Sequence, residues 1–207
     1  MNPDTWNVVA GINTTKQFTD HTQIRAVRSI ILHSDFDEDT YDNDICLFKI
    51  KTPFTFTNYI QPVCLPHTTH PILQKLTDES KTDCFVSGYG YTAFEGTKSG
   101  SLMSVKIPVV ERSLCNSWLD ESTNGQAVDW VLESQRCAGF EAGGIDACQG
   151  DSGGPLSCVD QEAEEKVWHL TGVVSWGIGC AERKKPGVYT KIENYYNWVW
   201  EKIHATM

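Results

Sequence analysis

One hydroxyl, Ser152, lies in the stretch Gly143-Gly144-Ile145-Asp146-Ala147-Cys148-Gln149-Gly150-Asp151-Ser152-Gly153-Gly154-Pro155. Five glycines in thirteen residues exclude a helix or a packed strand, because each adds backbone freedom that regular structure must remove. Such a backbone turns tightly and lets its N–H groups approach a bound group closely. A serine hydroxyl alone is a weak nucleophile. Chemistry at Ser152 therefore requires a base, a group to orient that base, and donors for a developing oxyanion. A second stretch, Asp42-Asn43-Asp44-Ile45-Cys46-Leu47, sets an aspartate at the mouth of an apolar strand. A carboxylate there can be held partly buried, whereas Asp42 reads as a turn residue.

The bulk of the chain must position these groups. Its 207 residues suffice for one large domain with a real core. Apolar content of 40% and aromatic content of 11% indicate a globular chain. A net charge of −10 disfavours nucleic acid and anionic membrane as partners and suits cationic substrates. No apolar run reaches the length of a membrane span. The opening Met1-Asn2-Pro3-Asp4-Thr5-Trp6-Asn7 has neither the basic nor the apolar region of a signal peptide. Eight cysteines without Cys-x-x-Cys pairs or His/Cys clusters point to disulfides and an oxidising compartment rather than to zinc. Asn13-Thr14-Thr15 is the one Asn-x-Ser/Thr tripeptide and fits a secreted surface loop. The segment after Gly11 lacks the paired glutamates of a calcium loop. No metal or other cofactor is expected.

Short apolar runs recur with turn signals between them. Residues 8–10, 24–32, 45–50, 85–89, 105–110, 167–176 and 187–192 read as strands, and 67–83 and 160–166 as loops. Many short strands without intervening helices mean an all-β barrel or sandwich. Two helices are expected, over 111–119 and over 194–204. In the second, Tyr195, Val199 and Ile203 recur at helical spacing beside Tyr196 and Trp200.

Gly-Asp-Ser-Gly-Gly-Pro preceded by Asp-Ala-Cys-Gln resembles the nucleophile loop of the chymotrypsin/trypsin-like serine endopeptidases, the S1 family, whose Ser-His-Asp triad is a worked example of nucleophilic catalysis. The motif is far more specific than a lone Gly-x-Ser-x-Gly. The resemblance implies two six-stranded antiparallel β-barrels and a C-terminal helix. It makes Ser152 the nucleophile and Asp44, in Asp-Asn-Asp-Ile-x-Leu, the triad aspartate. Gly150 and Ser152 would supply the oxyanion N–H groups. Asp146 would floor the pocket for the substrate side chain, between walls carrying Ser175, Trp176, Gly177 and Gly187. An acidic floor selects Arg or Lys, because a buried carboxylate is costly until a cation joins it. The same resemblance pairs Cys84 with Cys158, Cys115 with Cys137 and Cys148 with Cys180, a pairing that spacing alone leaves open. It also marks Cys64 as a tether to an upstream propeptide, and leaves Cys46 as a buried free thiol.

Two family features have no counterpart. The general-base histidine belongs to an Ala-Ala-His-Cys segment, and none of His21, His33, His67, His70, His169 and His204 has that context. An Ile-Val-Gly-Gly type terminus, whose ammonium would pair with Asp151, is also missing, and Tyr89 replaces the tryptophan of the usual Gly-Trp-Gly. The resemblance thus implies an incomplete first barrel over 1–75 and a second barrel with the C-terminal helix over 76–204. The expected function is a secreted or cell-surface endopeptidase cleaving proteins or peptides after Arg or Lys, with this chain alone inactive. The alternative is a pseudoprotease that binds without turnover. An α/β-hydrolase elbow at Gly150-x-Ser152-x-Gly154, with His204 as its base, fails because strand–helix alternation is absent.

Overall fold

Asn7–Ala10 (β1), Gln23–Leu32 (β2) and Cys46–Ile50 (β3) build a three-stranded antiparallel sheet in the order β1-β2-β3. The computed structural model describes residues 2–93, 95–123 and 128–205. β2 spans both neighbours. Its first four residues pair with β1, from Asn7↔Ala26 to Ala10↔Gln23. Its later residues pair with β3, from Val27↔Ile50 to Leu32↔Cys46. The register shifts between Val27 and Ser29, where the strand curls. Val27 is fully buried at that point.

The second sheet contains Thr82–Gly88 (β4), Met103–Lys106 (β5), Val109–Val110 (β6), Gln135–Ala138 (β7), Pro155–Asp160 (β8), Trp168–Trp176 (β9) and Gly187–Lys191 (β10). Its order is β5-β4-β8-β9-β10-β7-β6. β5 and β6 lie at opposite ends of that order, yet only Ile107 and Pro108 separate them in the chain. β5 pairs with β4, and β6 with β7. One interrupted strand therefore closes the sheet on itself as a six-stranded barrel. Pro108 has no N–H, and its carbonyl accepts from Gly139 N at 2.9 Å, while Ile107 N donates to Cys84 O at 2.9 Å. The interior packs Ile107, Leu156, Tyr189, Val86 and the Cys84–Cys158 disulfide.

β7 and β8 do not stand out in the sequence. All four residues of β7 are buried, including the polar Gln135 and Arg136. Arg136 donates to Glu193 Oε1 at 2.6 Å and to Thr171 O at 2.5 Å, so a charge sits where an apolar residue would mark a strand. β8 opens on Pro155 and reads as the tail of the glycine loop.

Arg112–Ser122 (α1) buries Cys115, Asn116 and Leu119, and the Cys115–Cys137 disulfide fastens it to β7. Tyr196–Ala205 (α2) follows a 3-10 turn over Ile192–Tyr195. The stripe expected over Tyr195, Val199 and Ile203 buries its first two members only. Ile203 stays 50% exposed. In the stretch expected as loop, Pro71–Gln74 forms a 3-10 turn that drives Ile72 into the core.

Candidate active site

The Asp44 loop is fixed from the opposite sheet. Asn43 adopts φ 55°, a left-handed conformation that asparagine tolerates, and its Oδ1 accepts from Tyr195 Oη at 3.1 Å. Ser134 donates its hydroxyl to Asp42 Oδ1. Gln135 Nε2 donates to Thr40 O at 3.2 Å and to Tyr41 O at 3.1 Å. Thr190 Oγ1 donates to Asp44 O at 2.7 Å. Asp42, read from the sequence as a turn residue, is thus one of several cross-sheet anchors. Held in this way, Asp44 turns its carboxylate toward β9, and Ser175 Oγ donates to Asp44 Oδ2 at 2.6 Å. The sequence placed Ser175 on a pocket wall, and nothing in it signals this second contact.

Ser175 lines a cavity of about 200 Å³ together with Asp146, Ser152, Trp176, Gly177 and Gly187. Separate stretches of the chain thus meet around one space, with Ser152 exposed at its rim and Asp44 attached through Ser175. Gly177 leaves room, because a Cβ there would meet nothing nearer than 3.9 Å. At Gly187 a Cβ would lie 2.8 Å from Asp146 Oδ1. Glycine at 187 is what keeps the acid accessible. Asp146 accepts from Ala147 N at 2.7 Å and from Ala181 N at 3.4 Å. Burial nevertheless pushes its carboxyl up to about 6, against which those backbone bonds work. Beside it, the buried Tyr189 hydroxyl has no hydrogen-bond partner among the described residues. Burial first, then the charges of Asp146 and Asp151, push that phenol far up.

The nucleophile loop is held from beneath. The Cys148–Cys180 disulfide joins it to the segment after β9. Asp151 Oδ1 accepts from Gly90 N at 2.8 Å, and its Oδ2 from Cys148 N at 3.0 Å. A Cβ at Gly88 would lie 2.0 Å from Asp151 Oδ1, and one at Gly90 2.6 Å from the carboxylate. The Gly-Tyr-Gly motif is therefore the imprint of Asp151. Tyr89, between the two glycines, donates its hydroxyl to Ile12 O at 2.9 Å and ties the two sheets together. A second cavity, of about 240 Å³, opens on Asp151, Gly90, Ile145 and the reverse side of Asp146.

Gly150 takes φ 90° and Gly153 φ 79°, so the loop passes Ser152 through two left-handed residues. Gly153 N donates to Val174 O at 2.9 Å and Gly154 N to Asp151 O at 2.8 Å. Among the described residues no acceptor takes the N–H of Gly150 or of Ser152.

The six imidazoles lie elsewhere, and none lines either cavity. His21 stacks on Tyr59 at 3.8 Å, and His33 packs against Trp198 at 5.0 Å and Tyr195 at 5.4 Å. His70 and His169 lie 4.3 Å apart, with His67 at 6.0 Å from His70. His204 packs on Trp200 at 4.2 Å. Cys46 is exposed, which corrects the expectation of a buried thiol. It opens β3, an outer strand of the three-stranded sheet. Burial and the charge of Asp44 still push its thiol up. Cys64 is also exposed and free, in a parallel bridge with β9. Among the described residues no group of three or more His, Cys, Asp or Glu is arranged to hold a metal ion.

Closed β-barrel, half-sheet and serine-bearing glycine loop together define a serine-peptidase type of architecture. The trypsin family model matches residues 2–199, and the chain belongs to the trypsin family.

Proposed function

We propose that this chain carries the nucleophile and specificity half of a serine endopeptidase that hydrolyses peptide bonds after Arg or Lys. The observation that carries this reading is the shared cavity. It holds the Ser152 hydroxyl and the Asp146 carboxylate, and Ser175 links it to Asp44. In this mechanism a guanidinium or ammonium enters beside Gly177 and Gly187 and pairs with Asp146. That cation lowers the Asp146 carboxyl again and removes the cost of burying its charge. The scissile carbonyl then lies over Ser152, with the N–H groups of Gly150 and Ser152 aimed at the developing oxyanion. Asp44 orients an imidazole and stabilises it once it is charged.

None of this chain's own imidazoles occupies that place, so the chain alone turns over slowly, by a factor on the order of 10⁴ to 10⁶. The imidazole enters on a segment that completes the three-stranded sheet. The Asp151 cavity suits an apolar N-terminus whose α-ammonium pairs with the carboxylate, and Cys64 suits a disulfide to an upstream chain. Three disulfides suit secretion, and no described helix is long and apolar enough to cross a membrane.

The test joins an Ala-Ala-His-Cys-bearing first-barrel segment of a trypsin-family peptidase ahead of residue 2. Hydrolysis after Arg and Lys that disappears in Ser152→Ala supports the endopeptidase. A folded fusion that binds amidines yet neither hydrolyses such peptides nor labels with a phosphonate at Ser152 favours the pseudoprotease.

A further inference from the structure

We propose that Asn13 is a site of N-linked glycosylation, accepting an oligosaccharide from a lipid-pyrophosphate donor in a secretory compartment. The inference rests on the secretion proposed above. Gly11, at φ 73°, turns the chain out of β1, and a Cβ there would lie 2.3 Å from His21 O. The tripeptide Asn13-Thr14-Thr15 then runs along the surface with Asn13 and Thr15 exposed. Its backbone is held against the opposite sheet. Leu102 N donates to Asn13 O at 2.8 Å, Thr14 Oγ1 to Gly100 O at 2.6 Å, and Thr15 N to Gly100 O at 3.0 Å. The Asn13 carboxamide, by contrast, has no partner among the described residues. A modified side chain there displaces no contact of the fold.

In the transfer, Asn13 Nδ2 bonds to the anomeric carbon of the donor's reducing-end N-acetylglucosamine. The bond from that carbon to the lipid pyrophosphate breaks, the pyrophosphate leaves with its electron pair, and the amide gives one proton to the transferase's base. Asn13 lines neither cavity. A glycan there also has a structural use. β1 pairs only with β2 among the described strands, and Trp6 and Phe18 are 46% and 58% exposed. A hydrated sugar three residues beyond Ala10 shields that open edge from pairing with another sheet.

The experiment expresses the full chain behind a cleavable secretion leader in mammalian cells. Retained and secreted pools are compared before and after peptide N-glycosidase, by gel mobility and mass spectrometry. Wild type and Thr15→Ser should carry one glycan, and Asn13→Gln and Thr15→Ala none. An unglycosylated wild-type chain whose three disulfides have formed overturns the inference and leaves the secretion reading standing. A chain with neither glycan nor disulfides counts against both.

Discussion

Ser175 donates its hydroxyl to Asp44 at 2.6 Å, across 131 residues of sequence. The contact joins the half-sheet to the closed barrel at the rim of the Ser152 cavity. Removing it leaves a partly buried carboxylate without a side-chain donor among the described residues. Ser175→Ala should destabilise the chain by about 1–3 kcal/mol in urea unfolding, the range for leaving a buried acceptor unsatisfied. In a double-mutant cycle with Asp44→Asn the two losses should be non-additive. Additive losses would mean that the contact contributes nothing.

Asp146 works against the fold when no cation is bound. Its carboxyl is raised from 3.8 to about 6, so the folded chain binds its proton more tightly than the unfolded chain does. The stabilising protonated state is complete below pH 3.8 and is lost as pH rises through about 6. At neutral pH Asp146→Asn should therefore be more stable than wild type, by up to roughly 3 kcal/mol. The difference should shrink toward pH 4, and equal stabilities at pH 7.5 would contradict the burial argument.

His70 shifts the other way. Burial first, then the neighbouring His169 and His67, lower its pKa, while Asp160 opposes them. Asp160 is itself engaged by Lys75 at 2.7 Å. The folded chain thus favours neutral His70, and stability is lost as pH falls below the ordinary value of 6.5. Its Nδ1 also caps the turn over Pro71–Gln74, so His70→Asn keeps a capping side chain. That variant should show a flatter loss of unfolding midpoint between pH 7.5 and pH 5 than wild type.

Glycine substitutions separate the pocket from its support. Gly187→Ala places a methyl group against Asp146 and should weaken amidine binding tenfold or more, about 1.4 kcal/mol. Gly90→Ala drives a Cβ into Asp151 and should cost about 1–3 kcal/mol of stability by overpacking. Calorimetry with an amidine ligand, together with urea unfolding, reads both effects.

The fold class and much of the cavity were legible because glycines in short motifs mark the close approaches that build them. Gly88 and Gly90 carry no side chain since Asp151 approaches them, and Gly187 none since Asp146 does. Such constraints leave compact motifs. β7 was not legible, because its buried Gln135 and Arg136 are satisfied by Thr40, Tyr41, Thr171 and Glu193, all distant in sequence. The Ser175–Asp44 contact was hidden for the same reason. Cys46 was misjudged because the lack of a disulfide partner in a resembling family does not reveal how exposed a thiol at a strand end is.

The most direct measurement of the central claim is equilibrium binding of p-aminobenzamidine to the intact chain, followed by its fluorescence. Binding should be clear at pH 8, weaken as pH falls through about 6 with protonation of Asp146, and be lost in Asp146→Asn. Equal affinity in wild type and Asp146→Asn, or no binding by a folded wild-type chain at pH 8, would contradict the account.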